Sequence, residues 1–169
     1  MREIVHNKDN LKDEDVTEVV KRVKVLIVNS KKEILLGYSY HEYQFPGGHV
    51  EDKERLISAV NRELLEETGM KLELKIRPFA KMTNYYKDYP TKGNNRKNEI
   101  YYYSIDSDRK INLNRTDYTD EEIDGDFVLE YVPLDEVEKI LVDNAKKYGD
   151  KKGISNEMIE ILKIYKEDN

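Results

Sequence analysis

Three glutamates, Glu63, Glu66 and Glu67, stand close together in the run 48–70, GHVEDKERLISAVNRELLEETGM. The run reads as a helix from Ser58 onward, with Gly69 placed as the left-handed residue that ends it. In a helix, positions i, i+3 and i+4 share one side, so these three carboxylates occupy a single sector. At about 4 Å and an effective dielectric of 20, a like-charged pair costs roughly 4 kcal/mol. A hard divalent cation removes that cost, because Mg²⁺ and its relatives take oxygen ligands. A solvated acidic helix face is the plainer explanation of the same three residues. Leu56, Ile57, Val60 and Leu64 form an adjoining apolar stripe that would dock the helix on a core.

The wider spacing separates the two explanations. The run fits, without a gap, the pattern G-x5-E-x7-R-E-U-x-E-E-x-G-U, where U is a bulky aliphatic, through Gly48, Glu54, Arg62, Glu63, Leu64, Glu66, Glu67, Gly69 and Met70. Seven fixed positions at background usages of about 5–10% each coincide by chance roughly once in 10⁸ starting points. On these residues the chain resembles the Nudix hydrolases. The resemblance spans approximately 18–148 and implies an α/β fold, the Nudix α/β/α sandwich with a mixed β-sheet between helices. It implies hydrolysis of the diphosphate bond in a nucleoside diphosphate linked to another moiety, with Mg²⁺ as cofactor and Mn²⁺ as its substitute. The metal neutralises the phosphoryl charge and lowers the pKa of the attacking water. By position, Glu63, Glu66 and Glu67 are the metal ligands, joined by the backbone carbonyl of Gly47 in FPGG. Glu66 or Glu67 is instead a candidate general base, since like-charged neighbours raise a carboxylate's pKa. Arg62, one turn before Glu66, is expected to hold the carboxylates by charge-assisted hydrogen bonds, and Glu54 to orient that network. Some relatives place the base on a loop outside the box. Glu121 and Glu122, before the run FVLEYV, are the candidates for that role, and Glu130 within it is a weaker one.

The elements that must position these residues follow from the patterning. Residues 1–18 are polar and acidic, a short extended piece or loop with Val5 and Leu11 as its anchors. Residues 19–28, VVKRVKVLIV, read as a buried strand, and residues 33–38 as a second strand making a hairpin with it. Phe45 and Pro46 end an extended piece at Gly47-Gly48. Beyond Gly69, residues 71–82 alternate in part, with Pro78 marking an edge or a bulge. Residues 85–98 are a turn-rich tip carrying Lys87, Lys92, Arg96 and Lys97, residues 99–105 a strand, and residues 106–126 a long acidic loop. Residues 127–132 form another strand. A helix with Val137, Ile140 and Leu141 on one face follows Pro133. Ser155 caps a last amphipathic helix, with Met158, Ile159, Ile161, Leu162 and Tyr165 inward. The expected organisation is one Nudix domain over 1–169, with an N-terminal extension at 1–18 and the C-terminal helix at 154–167.

Composition narrows the partners. At 169 residues a single core is expected. A net charge of −6 argues against non-specific nucleic-acid binding and demands local cations for an anionic substrate. With no cysteine, thiolate metal sites and cysteine nucleophiles are excluded, and the isopentenyl diphosphate isomerase chemistry that the resemblance also admits, which needs a cysteine, is disfavoured. The first residues are too polar for a signal peptide and no run approaches about 18 apolar residues, so a cytoplasmic protein without membrane contact is expected. A nucleotide-type small molecule is the expected partner. The runner-up readings are an RNA 5′-end pyrophosphohydrolase and a non-catalytic nucleotide-binding regulator. Homodimers, frequent among relatives, are a further expectation.

Substrate choice is less clearly written. The signatures of coenzyme A and NADH hydrolases are absent around SYHEYQFPGG and beyond the box. Diadenosine polyphosphate hydrolases carry a tyrosine downstream of the box, near where Tyr86 falls, and a ring there could stack on a base. ADP-ribose hydrolases carry a proline near that place, and Pro90 arrives later. Lys92, Arg96 and Lys97 are candidates to clamp terminal phosphates, against the plainer reading of a solvated tip. His41 and His49 flank the FPGG turn as surface or packing residues.

Overall fold

The β-branched run near the N-terminus becomes the spine of the molecule. In the computed structural model, which describes residues 1–169, strand β1 (Arg2–His6) precedes β2 (Glu18–Val28), and β3 (Glu33–Ser39) and β4 (Glu42–Gln44) follow. Helix α1 (Leu56–Thr68) leads to β5 (Ala80–Tyr86) and β6 (Arg96–Asp106). Then come the short helix α2 (Asp120–Asp124), β7 (Val128–Pro133), α3 (Val137–Tyr148) and α4 (Ile154–Asp168). One mixed sheet has the order β1-β5-β6-β2-β3-β4, with β7 also on β3. The β1–β5 and β2–β6 pairs are parallel, and the others are antiparallel.

Strand alternation sorts β2 onto two faces. Val23, Val25 and Ile27 join Ala59, Val60 and Leu64 of α1 in one core layer. Leu26 and Val28, with Ile100 and Tyr102 of β6, meet Val137 and Leu141 of α3 and Met158, Ile161 and Leu162 of α4 in the other. The result is the α/β/α sandwich. Each fully buried aliphatic side chain of this kind contributes about 1.5–3 kcal/mol, which fixes α1 rigidly against β2. Gly69, at φ 68°, ends α1 and donates its N–H to Leu65 O at 2.9 Å.

Several boundaries differ from expectation, each for a local reason. Residues 71–78 alternate as read, with Leu72, Leu74 and Ile76 on the core, yet they form no strand. Their backbone lies instead along α1, where Asn61 Oδ1 accepts Leu74 N at 3.0 Å. Arg96 and Lys97 belong to β6 and not to a hairpin tip. The acidic loop contains α2, whose capping box joins Thr119 and Glu122. Ser155 is not the cap of α4. Gly153 holds that position, and Asp150 accepts the Ser155 and Asn156 amides at 3.1 and 3.2 Å. Val5 is exposed, and Ile4 is the residue of β1 that reaches the core. At the chain ends Arg2 ion-pairs with Glu167 at 2.5 Å and Asp168 at 2.7 Å. No helix is long and apolar enough to cross a membrane.

Candidate active site

The FPGG turn is stitched to β2 and thereby brought against α1. Val25 N donates to Pro46 O at 2.9 Å and Val23 N to Gly48 O at 3.0 Å. Gly47 takes φ 125°, and a Cβ there would lie 2.3 Å from Val23 O. A Cβ on Gly48 would lie 2.5 Å from Glu63 Oε2. A side chain at Gly47 would strike the β2 backbone, and one at Gly48 would displace the Glu63 carboxylate, so the glycine pair lets the backbone close on the carboxylates.

Arg62 organises the acidic side of the cleft. Its guanidinium makes a bidentate pair with Glu54 (Nε–Oε1 and Nη2–Oε2, both 2.9 Å). It also donates to Glu63 Oε1 at 2.8 Å, Glu66 Oε2 at 3.0 Å and His49 O at 2.8 Å. The Arg62 bonds hold the Glu54 carboxyl below its ordinary pKa, and the Glu54 bonds raise that of Arg62. Burial raises Glu63, with Arg62 opposing. Glu67 is not held by Arg62. One of its oxygens accepts Gly47 N at 2.8 Å, and burial pushes its pKa up to about 8 against the pull of Lys24. Glu66, between them, is the more open of the three.

Glu54 lines a separate hollow with Val50 and Leu56, while Gly47, Gly48, Arg62, Glu63, Glu66 and Glu67 wall one cleft of about 550 Å³. Glu121 lines it as well. Glu122 also reaches it, but its carboxylate accepts Thr119 N at 2.7 Å and Thr119 Oγ1 at 3.0 Å as a helix cap. Tyr40 fastens this loop by donating to Asp124 Oδ2 at 2.7 Å, a bond that raises the phenol to about 12. Glu130, opposite Leu36 on β7, lies outside the cleft.

The floor of the cleft was not foreseen. Arg22 and Lys24 of β2 point into it, with Tyr40, Tyr43 and Tyr89 around them and Lys152 among the lining residues. Lys24 Nζ donates to Gly47 O at 2.5 Å and Gln44 Oε1 at 3.2 Å, and burial lowers its pKa. The signal lay in the sequence as Arg22 and Lys24 at i and i+2, one face of a strand whose intervening Val23 and following residues 25–28 are apolar. The expected basic group is split by the sheet. Arg96 faces the cleft side, held by Glu18 at 2.8 Å and over the Tyr89 ring, while Lys97 is on the opposite face with Asp13 at 2.8 Å. Lys92 is exposed in the turn between β5 and β6. Tyr86 lines a neighbouring hollow with Asn84 and Glu157. His41 stacks on Tyr148, with ring centroids 4.2 Å apart.

An all-oxygen donor set of Glu63, Glu66, Glu67 and the Gly47 carbonyl suits a hard divalent cation, although here the Gly47 carbonyl accepts Lys24 Nζ and would join only through its second lone pair or after Lys24 moves. In the present arrangement no three acidic side chains converge on a point, because Arg62 holds two of them and the Gly47 amide the third.

The NUDIX domain family model matches residues 19–152. The chain belongs to the Nudix family. An 8-oxo-dGTP diphosphatase of Buchnera aphidicola subsp. Schizaphis graminum is 35% identical over 69 residues, which is 41% of this chain. The chain spans half the length of that curated relative. Among Nudix folds, the Ap4A hydrolase of Caenorhabditis elegans superposes with TM-score 0.51 at 22% identity, covering 88% of this chain and 96% of the other. A MutT protein of Bacillus halodurans gives TM-score 0.51 at 19% identity, covering 71% and 72%. At these identities the structural likeness establishes the fold.

Proposed function

We propose that this Nudix protein hydrolyses a diphosphate bond in a nucleoside diphosphate linked to another moiety, with Mg²⁺ as cofactor. The observation that carries the reading is the Arg62 network. One guanidinium fixes Glu54, Glu63 and Glu66, with Glu67 anchored beside them, so Glu63, Glu66 and Glu67 are oriented into one cleft before any ligand arrives. Glu63, Glu66, Glu67 and the Gly47 carbonyl would hold the cation, which supplies charge neutralisation at phosphorus and a more acidic bound water. Arg62 and Glu54 keep the carboxylates from splaying apart under their mutual repulsion. One oxygen of Glu66 is bonded to Arg62 and the other carries no protein hydrogen bond, which leaves it available to orient or deprotonate water. Tyr40, Tyr43 and Tyr89 offer aromatic faces for a nucleobase. The 8-oxo-dGTP and Ap4A activities named for its relatives support a nucleotide substrate.

The test is a panel of nucleoside diphosphate derivatives incubated with the protein and Mg²⁺, reading mononucleotide or phosphate release. Turnover on at least one is expected, with Glu63→Gln and Glu66→Gln each lowering kcat by about 100-fold or more. Near-normal turnover in both variants would rule out this assignment of the site.

A further inference from the structure

A cation without a partner lies at the bottom of the cleft. Arg22 Nε is shielded from solvent and has no hydrogen-bond acceptor. Elsewhere the arginines near the site are committed: Arg62 to three carboxylates and Arg96 to Glu18. A buried donor left unmade is costly, so its persistence calls for an acceptor that arrives from outside. The backbone here is firmly placed, since Arg22 bridges His49 and stands opposite Ile100 in the parallel register with β6. Two residues along the same face, Lys24 spends two of its three donors on Gly47 O and Gln44 Oε1. The carboxylates that bear on these cations are occupied with other groups. Glu157 of α4 accepts the Tyr102 hydroxyl, and Glu67 accepts Gly47 N.

We propose that Arg22, with Lys24 beside it, forms an anion subsite on the sheet floor that receives a substrate phosphate other than the one drawn to the carboxylates. The naming of the anion as a substrate phosphate rests on the hydrolase reading; the subsite itself rests on Arg22. A guanidinium presents parallel N–H donors that match two non-bridging phosphate oxygens, which a lysine at the same place would not reproduce. The acidic wall and this floor line one cleft, so a diphosphate bridging them has one phosphate on each side. The cleft therefore orients its substrate along a charge axis. The same axis disfavours ligands whose only phosphate is the one that the carboxylates and their cation would take.

Titration calorimetry of the full chain with sodium pyrophosphate in EDTA reads the subsite without any metal. The wild type is expected to bind, Arg22→Gln to bind about tenfold more weakly or worse, and Arg22→Lys to fall between them. Arg96→Gln, on the same sheet face but already paired, should stay within about twofold. Mn²⁺ affinity read by electron paramagnetic resonance in phosphate-free buffer should be unchanged in Arg22→Gln. Should Arg22→Gln fail to fold, Arg22→Lys decides, because it keeps the charge and loses only the fork. Wild-type affinity for pyrophosphate in the deciding variant, or no binding by the wild type, would overturn the proposal. A protein that binds pyrophosphate through Arg22 but turns over no nucleotide would refute the hydrolase reading and retain the subsite.

Discussion

The cleft has two walls that reached their positions by different routes. On α1 the charges are held by one another, since Arg62 binds three glutamates and each constrains the rest. On β2 the charges are held by the fold, because Arg22 and Lys24 sit on a strand whose alternate residues are locked between α1 and β6. A helix places carboxylates in a crowd and needs a counter-ion to keep them there. A strand spaces its cations by two residues and needs only its own burial. The acidic wall should accordingly be sensitive to any change within its network, while the cationic floor should tolerate changes around it and respond only to the loss of its own groups.

The comparison is broken most severely at Glu63 and Glu66, where the roughly 100-fold losses above are expected. Next is Arg62→Gln, which removes the shared partner. Activity should fall about 10–100-fold, the scale for losing a residue that orients metal ligands. The apo protein should also melt at lower temperature, because Glu54 and Glu63 lose their counter-charge. Equal activity and melting temperature would show that the helix holds its carboxylates unaided.

A pH series sharpens the contrast at Glu67. Its folded pKa is raised to about 8 by burial, above the unfolded value of about 4.3. Between those values the folded state keeps a proton that the unfolded chain has released, so stability falls as pH rises through that window. Metal-free protein in EDTA should therefore melt at a lower temperature at pH 8 than at pH 5, and Glu67→Gln should flatten that slope. An unchanged slope in the variant would remove Glu67 as its source. The smallest effect is expected at Lys97→Gln. Its ion pair with Asp13 lies on the far side of the sheet from the cleft, so KM should move less than about twofold and stability by no more than about 1 kcal/mol. A large rise in KM there would mean that the cleft extends around the sheet edge.

The acidic wall was legible in the sequence because helical spacing and a fixed motif act over about twenty contiguous residues. The fold followed from the same motif together with the β-branched run of β2. The floor was not legible because Arg22 and Lys24 gain their meaning from the side of the sheet they face. That side is set by pairing with β6, some 80 positions away. Composition led toward Lys92, Arg96 and Lys97 as a cluster, and the pleat separates the last two onto opposite faces. The cap of α4 escaped for a similar reason. Asp150 reaches the Ser155 and Asn156 amides across a glycine, a contact that residue preferences at the cap position do not reveal.

The Arg2 contacts with Glu167 and Asp168 have an engineering consequence, because they bring the first and last residues side by side. A short glycine-serine bridge would join Met1 to Asn169, and the polypeptide could then be reopened near Gly93, where an added Cβ meets nothing within 4 Å. Such a circular permutant would keep every strand of the sheet while converting the β5–β6 connection into a free pair of ends for fusion to another protein.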